Sequence, residues 1–318
     1  MILALLACDP SDEDVRTRRA RPGRRNPGED TAFPDTGDSD APLDSGEPDE
    51  DTSDPWPAAG EACWLGPDRD YTVCLPVVAY SSSWGDEYAY PETYEGSAQY
   101  VAPARFVDLQ AADPALAVAP NFVLEEYMAA RKGRWGVMQS HVVDFMQAVR
   151  DDVGGPVSVN SGYRSPEYNA GVGGVEYSRH QYGDAVDMDV EGETADWLAD
   201  VCDAHGADYV ATYETGHTHC DWRDHTLDPA FYDVPSAMAA APAPRPEHAA
   251  TLTPVDGVWT APATGFDEGE PLRRWTAWDS EGVILAAAEG RTFTPPAGTA
   301  RIRVEVGRQL ALESPVTP

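Results

Sequence analysis

An α+β fold is what this sequence predicts, and three observations carry the prediction. Two stretches repeat apolar residues at helical spacing, short strand-like runs lie between them, and no long parallel βαβ repeat is present. In the first stretch Met138, Val142, Phe145 and Val149 recur at spacings of four, three and four, which marks one helical face that stops before Gly154-Gly155-Pro156. A strand from Val157 to Asn160 follows. The second helix, Thr194 to His205, gathers Trp197, Leu198, Val201 and Cys202 on one side and ends at Gly206, a natural C-terminal stop. Asp208 to Glu214 then reads as a strand. Near the end, TARIRVEV alternates strictly, with Ile302, Val304 and Val306 on one face and Arg301, Arg303 and Glu305 on the other. Short strands bounded by Gly and Pro there predict a small all-β sandwich of the immunoglobulin-like kind, suited to spacing or binding.

The chain has 318 residues, a formal charge of -33 and a pI near 4.3. That balance excludes binding to nucleic acid or to an anionic membrane through a basic face, because phosphate contacts need clustered Lys and Arg. The opening MILALLACDP ends its apolar run at Leu5-Leu6-Ala7-Cys8, which resembles the lipobox of bacterial lipoproteins and marks Cys8 for lipidation. Residues 1–8 are therefore read as a lipoprotein signal. Residues 9–55, rich in Asp, Glu, Pro, Gly, Ser and Thr, read as a disordered acidic tether, since they bury too little apolar surface to offset the entropy of ordering. The main domain spans 56–233, a Pro/Ala linker spans 234–249, and the small β unit spans 250–318. Setting Cys8 aside leaves four cysteines, an even set that fits export. Cys63 with Cys74, a short loop, and Cys202 with Cys220 is the favoured pairing; four buried thiols in a reducing compartment is the alternative.

The chemistry concentrates in SRHQYGDAVDMDV, Ser178 to Val190. His180 and Asp187 are two candidate zinc ligands, Gly183 between them permits a tight turn, and Ala185, Asp187 and Asp189 share one face of a strand. A plain solvated strand explains this segment equally well by itself. The segment YETGHTHCDW, Tyr213 to Trp222, adds His217 and His219, two apart and so pointing one way on a strand, with Glu214 just upstream.

These residues carry a resemblance. SGYRSPEYNAGVGGVEYSRHQYGDAVDMDV, Ser161 to Val190, resembles the central signature of the bacterial zinc D-alanyl-D-alanine carboxypeptidase family, which reads S-G-Y-R-S, then S-x-H-x-x-G-x-A-x-D, then a closing His motif. NFVLEEYM and VVDFMQAVRDDVGGPVSV ahead of it fit the same family, and the likeness covers roughly Phe122 to Trp222. The closing DYVATYETGHTHCDW is similar to the related hedgehog signalling domain, which shares the zinc site and acts by binding.

The resemblance implies a hedgehog/DD-peptidase-type zinc domain, with an antiparallel sheet and packed helices. It implies one zinc ion on His180, Asp187 and His219, with His217 steadying the developing oxyanion and Glu214 as general base. Many of these peptidases put the acid three positions before the last ligand, where this chain has Gly216. Asp221 and Asp189 would orient the ligands. Arg164 would grip a substrate carboxylate through its planar fork, with Ser161 and Tyr163 lining the cleft. The implied activity is hydrolysis of D-alanyl bonds in peptidoglycan stem peptides, as carboxypeptidase or endopeptidase, in the bacterial cell envelope. The alternative is a hedgehog-like zinc-containing binding module without turnover. The partner expected is a peptidoglycan peptide, with no nucleic acid and with membrane contact only through the lipid anchor. Calcium on carboxylates such as Asp189 or Glu191 has no support beyond composition, and the sequence is silent on oligomeric state.

Overall fold

The computed structural model describes residues 60–316 except 240, 247 and 268, and gives no side-chain surroundings for 236 and 237. Cys8, the lipid-anchor expectation and the acidic tether lie outside the described residues. Among the described residues, no helix is long and apolar enough to cross a membrane.

Helices and antiparallel sheets interleave, so the α+β expectation holds. One antiparallel sheet contains β1 (Glu61–Trp64), β2 (Val73–Ala79), β3 (Arg105–Asp108) and β4 (Trp135–Gly136), in that order. Cys63 and Cys74 sit directly opposite each other on β1 and β2 and form a disulfide.

Helix α1 (Ser140–Val153) follows, closed by Gly154 in the left-handed conformation, φ 65°. Met138, expected on the helical face, is instead buried in the extended segment ahead of it. The chain there is held straight from both sides. The Trp64 indole donates to the Met138 carbonyl at 2.8 Å, and the Gln139 backbone amide donates to the Gly183 carbonyl at 2.9 Å.

A second antiparallel sheet positions the candidate site. It comprises β5 (Ser158–Ser161), β6 (Ala185–Asp189), β7 (Tyr209–Thr212) and β8 (Thr218–Asp221), ordered β5-β6-β8-β7. The strand expected over 208–214 is confined to Tyr209–Thr212, because the Gly216 amide turns back to the Tyr213 carbonyl at 3.0 Å. Helix α2 (Ala195–Ala204) lies between β6 and β7, its first turn capped by the Thr194 hydroxyl, which accepts from the Trp197 amide. A second disulfide, Cys202–Cys220, ties α2 to β8.

The two faces of this sheet divide the molecule's apolar residues by the period-2 rule of strands. Val186, Met188, Val210 and Cys220 point into a core with Val142, Met146 and Val149 of α1 and Leu198, Ala199 and Cys202 of α2. On the other face Tyr209, Ala211 and Tyr213 join a second core with Trp259, Phe266 and Trp275 and with Ile302, Val304 and Val306. The latter three sit on β11 (Arg301–Val306), in a sheet with β9 (Arg273–Trp278), β10 (Ile284–Glu289) and β12 (Leu310–Pro315), ordered β10-β9-β11-β12. The alternation read in TARIRVEV is present: Ile302, Val304 and Val306 are fully covered. Residues 60–316 thus form part of one compact unit in which the C-terminal strands share a core with β7.

The Cys202–Cys220 bridge closes an 18-residue loop. Replacing both cysteines by Ser is expected to remove about 3 kcal/mol of stability, read as a lowered urea midpoint at unchanged slope.

His141, in the first turn of α1, stacks on His225 at 5.3 Å, and its Nε2 is sealed from solvent. Burial, and then the neighbouring His225 and Arg179, push its pKa down from 6.5 to about 3. The unfolded chain therefore binds the proton that the folded chain refuses, so stability is expected to fall as pH drops from about 6.5 toward 3. Urea melts at pH 7 and pH 5 should show a smaller loss for His141→Gln than for the natural chain.

Candidate metal centre

The pairing of β6 with β8 sets His219 directly opposite Asp187, and the pairing of β5 with β6 sets Ser161 opposite Asp187 in turn. Residues opposite each other in an antiparallel sheet present side chains on the same face. Asp221, two positions beyond His219, shares that face.

His180 arrives from a different direction, on a single helical turn over Arg179–Tyr182. Gly183 ends this turn at φ 77°, and a Cβ there would stand 2.8 Å from the Val137 carbonyl oxygen. No other residue fits that turn. A buried Arg179–Asp184 ion pair pins the turn, with the guanidinium lying over the Tyr100 and Tyr182 rings at 5.1 and 4.8 Å and donating to the Gln99 carbonyl. Sequence reading passed over Arg179 and Asp184, although both lie inside the SRHQYGD segment.

The result is a close cluster of ligand atoms. His180 Nε2 lies 3.2 Å from Asp187 Oδ1, His219 Nδ1 lies 3.0 Å from the same oxygen, and the two nitrogens are 3.1 Å apart. Ligand atoms about 2.0–2.1 Å from one tetrahedral zinc stand about 3.3 Å apart, so the spacing suits that ion. All three residues are at least 98% buried.

Each imidazole is also turned the right way. His180 Nδ1 donates to the Gly162 carbonyl at 2.7 Å, and His219 Nε2 donates to Asp221 Oδ2 at 3.2 Å. Both ring proton positions are thereby fixed on the far side, leaving His180 Nε2 and His219 Nδ1 facing Asp187. Asp221 is itself gripped by Arg223, with Nε 2.7 Å from Oδ1.

The charge state without metal follows from the same contacts. Burial disfavours the Asp187 carboxylate, but His180, Arg164 and His219 hold its pKa well below the usual range. Burial also opposes a charged His219, yet hydrogen bonds to Asp187 and Asp221 raise its pKa to about 10. His180 is pushed down by burial and by the Arg164 guanidinium.

The remaining sequence candidates are placed as follows. Arg164 is fully buried, and its Nη2 is paired with Asp187 Oδ2 while its Nε donates to the Ser161 hydroxyl at 2.8 Å. Ser161 also accepts from Lys132 Nζ at 2.8 Å. Tyr163 is buried, its hydroxyl 3.0 Å from that of Tyr90. Asp189 lies at the end of β6, partly exposed and opposite Ser158. His217 precedes β8, stacks on Tyr213 with ring centres 4.5 Å apart, and its Nδ1 is 2.7 Å from the Thr215 hydroxyl.

Glu214 is held by Arg291 at 2.6 Å and by Arg273 at 3.4 Å, and its amide donates to the Glu270 carbonyl. One acidic residue absent from the sequence reading does reach the cluster. Asp267 combines with His180 and His219 into a set whose ligand atoms all lie within 4.8 Å of one another.

Comparison with known proteins covers this same stretch. Residues 120–221 match the Peptidase M15 family. The resemblance to the zinc D-alanyl-D-alanine carboxypeptidase family read from the sequence holds. The chain is 35% identical over 97 residues to the zinc D-Ala-D-Ala carboxypeptidase of Streptomyces albus G, an alignment spanning 29% of this chain and 36% of that protein. The chain therefore spans about a third of the relative's length. All three clustered residues, His180, Asp187 and His219, fall inside the M15-like region.

If Asp221 orients His219 as the geometry indicates, Asp221→Asn should weaken zinc binding by about 10- to 100-fold. Competition against a chromophoric chelator measures this, with a thermal melt alongside to show that the fold is kept.

Proposed function

We propose that this chain is a zinc-dependent peptidase that hydrolyses D-alanyl bonds of peptidoglycan stem peptides outside the cytoplasm. One observation supports the reading above the rest: three buried ligand atoms 3.0–3.2 Å apart, in a region matching Peptidase M15. The name of the Streptomyces albus G relative supplies the substrate class. The two disulfides and the lipobox-like start accord with export and anchorage at the envelope.

His180, Asp187 and His219 would hold the ion. Zinc in such a site polarises a carbonyl and lowers the pKa of water to about 7. The chain's own residues do the positioning. The Gly162 carbonyl and Asp221 hold the two imidazoles in one tautomer each. Arg164, one nitrogen anchored on Asp187 and another on Ser161, keeps its fork beside the cluster, where a substrate carboxylate would be gripped. Glu214 is the general base of this reading, and it serves only when Arg273 and Arg291 release it.

A second reading, a zinc-containing binding module without turnover, is favoured by that last observation, because a carboxylate held by two guanidinium groups is a poor base. Against it stands the match of residues 120–221 to Peptidase M15.

The zinc-loaded natural chain and its Asp267→Ala variant are incubated side by side with muropeptides ending in D-Ala-D-Ala and with cross-linked dimers, and at least one of them is expected to release D-Ala or cut the cross-link, as read by mass spectrometry. His180→Ala should abolish the product. One bound zinc with no product from the natural chain and from Asp267→Ala alike establishes the binding module instead.

A further inference from the structure

Asp267 belongs to the C-terminal β unit, in the loop that leads from the short strand Ala263–Thr264 to β9. It is 103 positions from Arg164 in the chain, yet its carboxylate is buried within the metal centre, its side chain 8% exposed. Oδ2 accepts from the Ser178 hydroxyl at 2.5 Å and stands 3.9 Å from His180 Nε2, while Oδ1 is 3.3 Å from Arg164 Nη1.

We propose that Asp267 is a fourth ligand of the metal, delivered by the C-terminal unit, which closes the centre to outside ligands. The inference rests on the zinc reading of the site and not on turnover.

Geometry supports it first. Ligand atoms of a tetrahedral zinc stand about 3.3 Å apart, and Asp267, with Oδ2 3.9 Å from His180 Nε2 and its ligand atom within 4.8 Å of that of His219, lies close to that range. Charge supports it next. With Asp187 alone, a divalent ion and the buried Arg164 guanidinium would face a single carboxylate, and Asp267 adds a second negative charge against them.

The same carboxylate also takes Arg164 Nη1, the group suited to a substrate carboxylate. Beside His219 and Asp267 the cleft is reduced to a cavity of about 30 Å³, bordered by Ser178, Tyr209, Arg223 and His248.

The loop is clamped at both ends of the contact. The Asp267 amide donates to the Tyr213 hydroxyl at 3.1 Å, the Glu214 amide to the Glu270 carbonyl at 2.9 Å, and the Leu272 amide to the Thr212 carbonyl at 2.8 Å. Arg273 and Arg291 hold Glu214 from the same unit. The C-terminal strands therefore fill the open coordination position and withdraw the candidate base together. The isolated chain is a latent form of the M15-like centre, opened by moving one loop.

The test uses the full chain loaded with Co²⁺, whose visible spectrum reports its ligands, with acetohydroxamate as the external probe. The expected result is that the natural chain's spectrum is unchanged by acetohydroxamate. Asp267→Ala should alter the spectrum before any addition, shift it again with acetohydroxamate, and weaken zinc binding at least tenfold in chelator competition. Asp267→Asn, nearly isosteric, serves where the alanine variant does not fold, and should alter the spectrum and the zinc affinity in the same direction.

The proposal is overturned if acetohydroxamate shifts the natural chain's spectrum as it does that of the variants. It is equally overturned if both variants keep the natural spectrum and zinc affinity, including the case in which Asp267→Asn abolishes peptide hydrolysis at unchanged affinity, which makes Asp267 a base. A chain that takes up no metal overturns the zinc reading and the proposal together. A spectrum altered by the Asp267 variants, with no D-Ala released by the natural chain or by either variant, upholds the ligand while removing the peptidase.

Discussion

The antiparallel register between β6 and β8 is the constraint on which the site depends. It places His219 across from Asp187 and Cys220 across from Val186, so one strand pair serves two purposes at once. The inward residues seal the main core and the outward residues build the cluster. A slip of one position would send His219 into the apolar core and Cys220 into the site. The Cys202–Cys220 bridge guards against that slip, because it fixes the residue beside His219 to α2.

His180 depends on a second constraint of a different kind. It comes from a turn, and a turn holds a side chain only as firmly as its surroundings do. Here the buried Arg179–Asp184 pair, the Gln99 carbonyl and two tyrosine rings supply that rigidity. Breaking such a pair leaves an uncompensated buried charge, which makes it costly to lose. The site is therefore assembled from a sheet that dictates spacing and a turn locked by electrostatics.

The C-terminal strands are more than an appended unit. They complete the core over the outward face of β7, bring Asp267 beside the cluster and hold Glu214 through Arg273 and Arg291. A sheet face that carries polar ligands must still be covered where it is apolar, and Tyr209, Ala211 and Tyr213 are covered by the same strands whose loop reaches the centre. Stability and access are linked through that shared core.

The sequence by itself determined what is local. The period of two in Ala185 to Asp189, the helix stop at Gly154, the alternation of Ile302, Val304 and Val306, and the His180 to Asp187 spacing are all properties of neighbouring residues, and all are present in the fold. Resemblance to a family added the grouping of these with His219. The extended setting of Met138 was not legible, because it depends on a Trp64 contact 74 positions away. Only the tertiary structure decided the fate of Glu214 and the arrival of Asp267. Glu214 reads as a base from its place before the His pair, but two arginines far along the chain claim it. Asp267 stands in an ordinary acidic loop with no periodicity or motif around it, and its role comes from which loop the shared core presses against the centre, a matter of packing between distant segments that no local pattern encodes.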